Sequence, residues 1–111
     1  MKNRTIQFLT EDECNYITKQ EKSPFLMFFT AEFDENGKKM TAFFDELDRT
    51  LYEKIKIYGC DIDKVPMCAL KYGIINIPCA VLCKDGRECS RLSGYKTPSQ
   101  IEEWLRNNEV I

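Results

Sequence analysis

The sequence contains no histidine. That removes the commonest transition-metal ligand and every cysteine–histidine dyad. None of the six cysteines stands in a C-x-x-C spacing, and no apolar run is long enough to span a bilayer. Charge of one sign is not in excess either: 16 basic and 18 acidic residues leave a net charge of −2. So balanced a surface gives no electrostatic case for nucleic acid or for an anionic membrane. Low-complexity tracts and internal repeats are missing. The N-terminal stretch MKNRTIQFLTEDE turns acidic before a signal-peptide core develops, which makes the cytoplasm the expected compartment.

What is present suits one compact domain over residues 1–111. The chain is 43% hydrophobic and 31% charged, ordinary for a globular protein and too short for a second core. The cysteines are Cys14, Cys60, Cys68, Cys79, Cys83 and Cys89. Their even number invites a disulfide framework, but without an export signal they read mainly as small buried hydrophobes.

The pattern along the chain is α/β. TIQFL (5–9) reads as a short strand, and Thr10 with Glu13 forms a capping box for a helix to about Lys19. Ser23-Pro24 ends that helix, and the wholly apolar stretch from Phe25 to Phe29 predicts a central strand covered on both faces. Met40, Phe43, Phe44, Leu47 and Leu51 then form one stripe at helical spacing. A strand follows over 55–62, Pro66 opens a short helix, and Gly73 suits its C′ position. Residues 76–83 predict a strand containing Pro78, and Asp85-Gly86 a tight hairpin into RECSRLSG. TPSQ (97–100) supplies a cap for the closing helix. The order β-α-β-α-β-α-β-β-α implies a mixed central sheet with helices on both faces.

At this point the chain resembles the thioredoxin family over nearly its full length. The resemblance rests on FTAEF (29–33), DELD (45–48), DID (61–63), KYGIINIP (71–78), KDG (84–86) and SG (93–94). From Phe29 to Pro78 no gap is needed. It implies the thioredoxin fold and a cis peptide bond at Pro78. It also implies a shallow peptide-binding groove made by the loop before that proline and the late glycine loop.

The same alignment exposes what the corner lacks. Thioredoxins carry W-C-G-P-C-K where this chain reads Phe33-Asp34-Glu35-Asn36-Gly37-Lys38. Exchange needs a thiolate at a helix N-terminus and a second thiol to resolve the mixed disulfide. Asp34 and Gly37 supply neither. Phe28 stands where the family keeps a buried acid, and Gly59 where a lysine neighbours it. Phenylalanine there recovers apolar burial on the order of 2 kcal/mol. Asp34 suits an N-cap, with Glu35 favourable near the helix dipole. Alternatively, Asn36-Gly37 extends the loop and the helix starts near Lys38. An acid–base pair of Asp34 and Glu35 is a further reading, one that needs a pocket to shift a pKa.

Cys79, next to Pro78, is the best remaining thiol for a single-thiol role. Cys79 and Cys83 share a strand face but lie about 13 Å apart, beyond the roughly 7 Å that a disulfide tolerates between Cα atoms. A two-residue hairpin turn puts Cys83 and Cys89 on opposite faces, unless a bulge changes the register. No intramolecular pair stands out, and Cys79, Cys83 and Cys89 lack metal-ligand spacing. The expectation is therefore a redox-inactive, thioredoxin-like domain that binds a protein or extended peptide, without cofactor or metal. Its binding residues are Phe33, Asp34, Glu35, Asn36, Ile77, Pro78, Ser93 and Gly94. The alternative is an atypical thiol–disulfide oxidoreductase or single-thiol redox protein using Cys79.

Overall fold

A computed structural model describes residues 6–51 and 54–111. The sheet is organised around β2 (Phe25–Thr30), in which every residue is buried. β2 runs parallel to β3 (Lys56–Asp61) and antiparallel to β4 (Cys79–Lys84). β1 (Gln7–Phe8) joins outside β3 and β5 (Arg87–Ser93) outside β4, so the spatial order is β1-β3-β2-β4-β5. The helices are α1 (Glu11–Gln20), α2 (Glu35–Leu51), α3 (Pro66–Lys71) and α4 (Pro98–Asn107). The architecture is the thioredoxin fold, α/β, with the element order read from the sequence. The start of the first expected strand, at Thr5, lies outside the described residues.

The predicted punctuation works as chemistry requires. Thr10 and Glu13 exchange both capping-box hydrogen bonds, as do Thr97 and Gln100. Gly73, at φ 60°, and the hairpin pair Asp85-Gly86, at φ 54° and 77°, occupy the left-handed region that such turns need. The Ile77–Pro78 peptide bond is cis.

Alternation along β2 creates two cores. Leu26 and Phe28 face α2 and α4, packing with Met40, Phe44, Leu47, Ile101 and Leu105. Phe25, Met27 and Phe29 face α1 and α3. That second core holds Cys14, Cys60, Cys68, Cys79 and Cys83, so every cysteine but the exposed Cys89 lies on one side of the sheet.

Phe28 pairs with Gly59 across the β2–β3 ladder, and its ring lies 4.8 Å from that of Phe44. A Cβ on Gly59 would come within 2.6 Å of the Phe8 ring, which covers that position. Neither an acid at 28 nor a lysine at 59 fits without rebuilding both layers. Phe28→Asp should therefore cost about 3–5 kcal/mol. Burial raises the pKa of a carboxyl, so native protein holds its proton where the unfolded chain, with a pKa of about 3.9, has lost it. Stability is thus lost as pH rises above that value. Urea unfolding at pH 4 and pH 7 should show the larger loss at pH 7; an equal loss at both would contradict this placement.

Candidate functional site

The β registers bring the expected site residues to one end of the sheet. Phe29 pairs with Cys79, and Cys79 with Ser93, so Pro78 and Gly94 flank the point where β2 leaves the sheet. Gly94 N donates to Pro78 O at 2.8 Å, tying the late glycine loop to the cis-proline. Phe33 is 74% exposed and Ile75 89% exposed, whereas Ile77 is half-buried against the α1/α3 core. Asn36 is exposed, and Glu35 pairs with Lys38 at 3.2 Å.

Helix α2 begins at Glu35, which puts Asn36 and Gly37 inside its first turn and sets aside the start near Lys38. Asp34 N donates to Ala31 O, and Asp34 O accepts from Lys38 N at 3.1 Å. The carboxylate is less well served: its Oδ2 is buried without a hydrogen-bond partner, as is Thr30 Oγ1. Both atoms crowd Gly37. A Cβ there would collide with Thr30 Oγ1 and sit 3.0 Å from Asp34 Oδ2. Glycine is what this niche accepts, so a second thiol could not be added without moving Thr30.

Cys79 is buried, and burial pushes its thiol pKa up, partly offset by the Ser93 hydroxyl 3.8 Å away. Burial likewise raises Cys83, to about 11. An attacking thiol needs access and thiolate character, and the environment of Cys79 works against both. Cys89, exposed, sits at an irregularity of the β4–β5 ladder between Leu82 and Cys83.

The sulfur chemistry is elsewhere. Cys14 on α1 and Cys68 on α3 form a disulfide, with Cα atoms 6.4 Å apart across 54 residues of sequence. The capping box fixes the phase of α1, so Cys14 faces inward one turn after Thr10. Pro66 fixes the start of α3, placing Cys68 in its first turn. Glu11 then clamps the helices together: its carboxylate accepts from Met67 N at 2.7 Å and from Cys68 N at 3.2 Å. Lys71 adds a bond to Thr18 Oγ1 at 3.1 Å. A cavity of about 240 Å³, lined by Cys14, Cys68, Met67, Asn15, Thr18 and Lys71 among others, opens on the bridge. Cys60 on β3 completes a cluster in which the three Sγ atoms lie within 4.8 Å of one another. Its thiol is pushed up to about 12, first by burial and then by the Glu11 charge.

The family model for thioredoxin matches residues 5–107. Thioredoxin of Rickettsia bellii is 32% identical over 85 residues, covering 77% of this chain and 81% of that protein. Thioredoxin of Bacillus subtilis is 32% identical over 71 residues, covering 64% and 68% respectively. The chain belongs to the thioredoxin family. One solved relative comes from a study of the thiol resolving mechanism in yeast mitochondrial 1-Cys peroxiredoxin via glutathione/thioredoxin systems. It superposes with a TM-score of 0.78 at 24% identity, over 92% of this chain and 94% of its own, and so shares the fold.

The expectation of a redox-inactive domain with a merely degenerate site is overturned. Sulfur is missing from the corner at Asp34 and Gly37, but the fold brings Cys14 and Cys68 together as a disulfide, and relatives across this length are thioredoxins. The reading of the cysteines as mostly inert hydrophobes with no compelling pair fails for the same reason. Cys14 and Cys68 lie 54 residues apart and meet only through the packing of two helices. The signal was partial: the right-handed β1-α1-β2 crossover fixes the face of α1, and only the folded structure shows α3 packed in the same core.

The corner itself generates a test. Gly37→Ala gains about 1 kcal/mol of helix propensity but overpacks the niche at a cost of about 1–3 kcal/mol. The single variant should be less stable than wild type by denaturant midpoint. Adding Thr30→Ala, which removes the colliding and unpartnered hydroxyl, should restore most of the loss. Additive effects would show that the two positions do not touch.

Proposed function

We propose that the protein is an atypical thiol–disulfide oxidoreductase whose working couple is Cys14–Cys68. The observation that carries this reading is the disulfide joining α1 to α3 beside a cavity that opens on it. In the reduced form one thiolate of the pair attacks a substrate disulfide, releases one substrate thiol and forms a mixed disulfide. The second cysteine attacks that bond, closes Cys14–Cys68 and frees the other substrate thiol. Two electrons pass to the substrate, and an external dithiol reductant returns them. Both cysteines are buried, so the cavity that opens on the bridge is the route by which a substrate disulfide reaches it.

Closing a loop of this length contributes about 4 kcal/mol in the chain-entropy account. Both packed cores are built from contacts other than the bond, and the reading requires the reduced form to stay folded. The proposed compartment is the cytoplasm. Among the described residues no helix is long and apolar enough to cross a membrane. In a reducing compartment a persistent bridge is usually catalytic or sensory, which favours cycling over a static staple.

The partner in this reading is a protein or extended peptide carrying the thiol or disulfide. Phe33, Asp34, Glu35, Asn36, Ile77, Pro78, Ser93 and Gly94 are the proposed docking residues. The exposed Phe33 and the cis-proline at the sheet end support that assignment. Insulin-disulfide reduction driven by dithiothreitol tests the function. Wild type should accelerate it, Cys14→Ser and Cys68→Ser should each remove the acceleration, and Cys79→Ser should leave it. Activity that survives both Cys14→Ser and Cys68→Ser but disappears in Cys79→Ser would transfer the role to Cys79.

A further inference from the structure

Cys60 has no place in the exchange just described, yet its sulfur stands against the bridge. We propose that, once Cys14–Cys68 is reduced, Cys14, Cys60 and Cys68 form a trigonal binding site for copper(I). The inference rests on the reading that this pair opens reversibly.

The geometry fits three ligands around one ion. With metal–sulfur bonds of about 2.3 Å, a trigonal site holds its sulfurs about 4 Å apart. The three Sγ atoms already lie within 4.8 Å of one another. Reduction takes two electrons and two protons from a dithiol, which leaves as its disulfide, and the freed Cys14 and Cys68 sulfurs then separate to contact distance. Copper(I) plus three thiols gives a three-coordinate thiolate complex and three released protons. Disulfide and metal therefore exclude each other.

The donor set selects the ion. Thiolates favour soft d¹⁰ cations, and structural zinc takes four ligands in a tetrahedron. No fourth cysteine, histidine or carboxylate joins the three among the described residues. The nearest carboxylate partner of the cluster, Glu11, spends its two oxygens on Met67 N and Cys68 N, and the chain has no histidine. All three cysteines are buried in an apolar core, which shields a copper(I) thiolate from oxidation. An entry path exists too: the cavity reaches Cys14 and Cys68 and carries the thioether of the exposed Met67, another soft donor, among its lining residues.

The test uses the full chain with Cys89→Ser, which removes the exposed thiol as an adventitious ligand. Protein reduced with dithiothreitol and freed of it without oxygen is titrated with copper(I) against bicinchoninate. One copper(I) per chain is expected for the reduced form and none for the oxidised form. Cys60→Ala should weaken binding at least about 100-fold, while Cys14–Cys68 still closes and insulin reduction continues. Copper X-ray absorption of the reduced protein should count three sulfur neighbours, a readout that needs no Cys60 variant. Two sulfur neighbours, undiminished binding in Cys60→Ala, equal binding by oxidised protein, or preference for zinc(II) would each overturn the proposal. A couple that turns over insulin but takes no copper sinks this inference and leaves the proposed function standing. A pair that cannot be reduced sinks both.

Discussion

The structure depends on one constraint: β2 is buried on both faces, so its alternating side chains must satisfy two separate cores. Leu26 and Phe28 are committed to α2 and α4, while Phe25, Met27 and Phe29 are committed to α1 and α3. Slipping the strand by one residue would exchange the two sets. The registers with β3 and β4 carry the same division outward, putting Cys60 and Cys79 beside Phe29. Chemistry is partitioned by parity. One core is built on aromatic and aliphatic side chains with Met40, and the other contains every buried cysteine.

That partition explains how the familiar corner lost its thiols without emptying the protein of sulfur chemistry. Phe28 points into the aromatic core, where an acid has no partner, and Phe8 covers Gly59 where a lysine would stand. Thr30 fills the space that a side chain at residue 37 would need. These residues form one packed arrangement, so the changes belong together. The bridge lies on the other face, held by the packing of α1 against α3 and by the Glu11 carboxylate. The Glu11 charge also adds to burial in disfavouring the thiolate of Cys60 beside the bridge.

Much of the fold was legible in the sequence because its signals are local. T-x-x-E and T-P-S-Q name helix starts through hydrogen bonds spanning three residues, and Asp85-Gly86 names a hairpin through backbone geometry. The cis bond at Pro78 followed from the family resemblance and is present. The register of the hairpin was half legible: the two-residue turn stands, but the shift between Leu82 and Cys83 moves Cys89 out of simple alternation. The bridge was not legible at short range, because Cys14 and Cys68 meet only after two crossovers fold onto the same face. Cys14 sits three residues before Ile17 on the inward stripe of α1, and Cys68 precedes Ala69 on α3. Pairing inward cysteines from helices on one face would have found them. The niche at Gly37 could not be read at all, since it depends on where a threonine seven residues earlier places its hydroxyl.

The central claim is that the α1–α3 bridge is a working couple and not a permanent staple. The measurement that bears on it most directly is the reduction potential of Cys14–Cys68, from equilibration in dithiothreitol buffers with thiol trapping and mass spectrometry. A two-electron transition with a midpoint between about −200 and −300 mV, in the range of cytosolic exchange proteins, is the predicted result. A bridge that stays closed well below about −300 mV, where structural disulfides lie, would contradict the account.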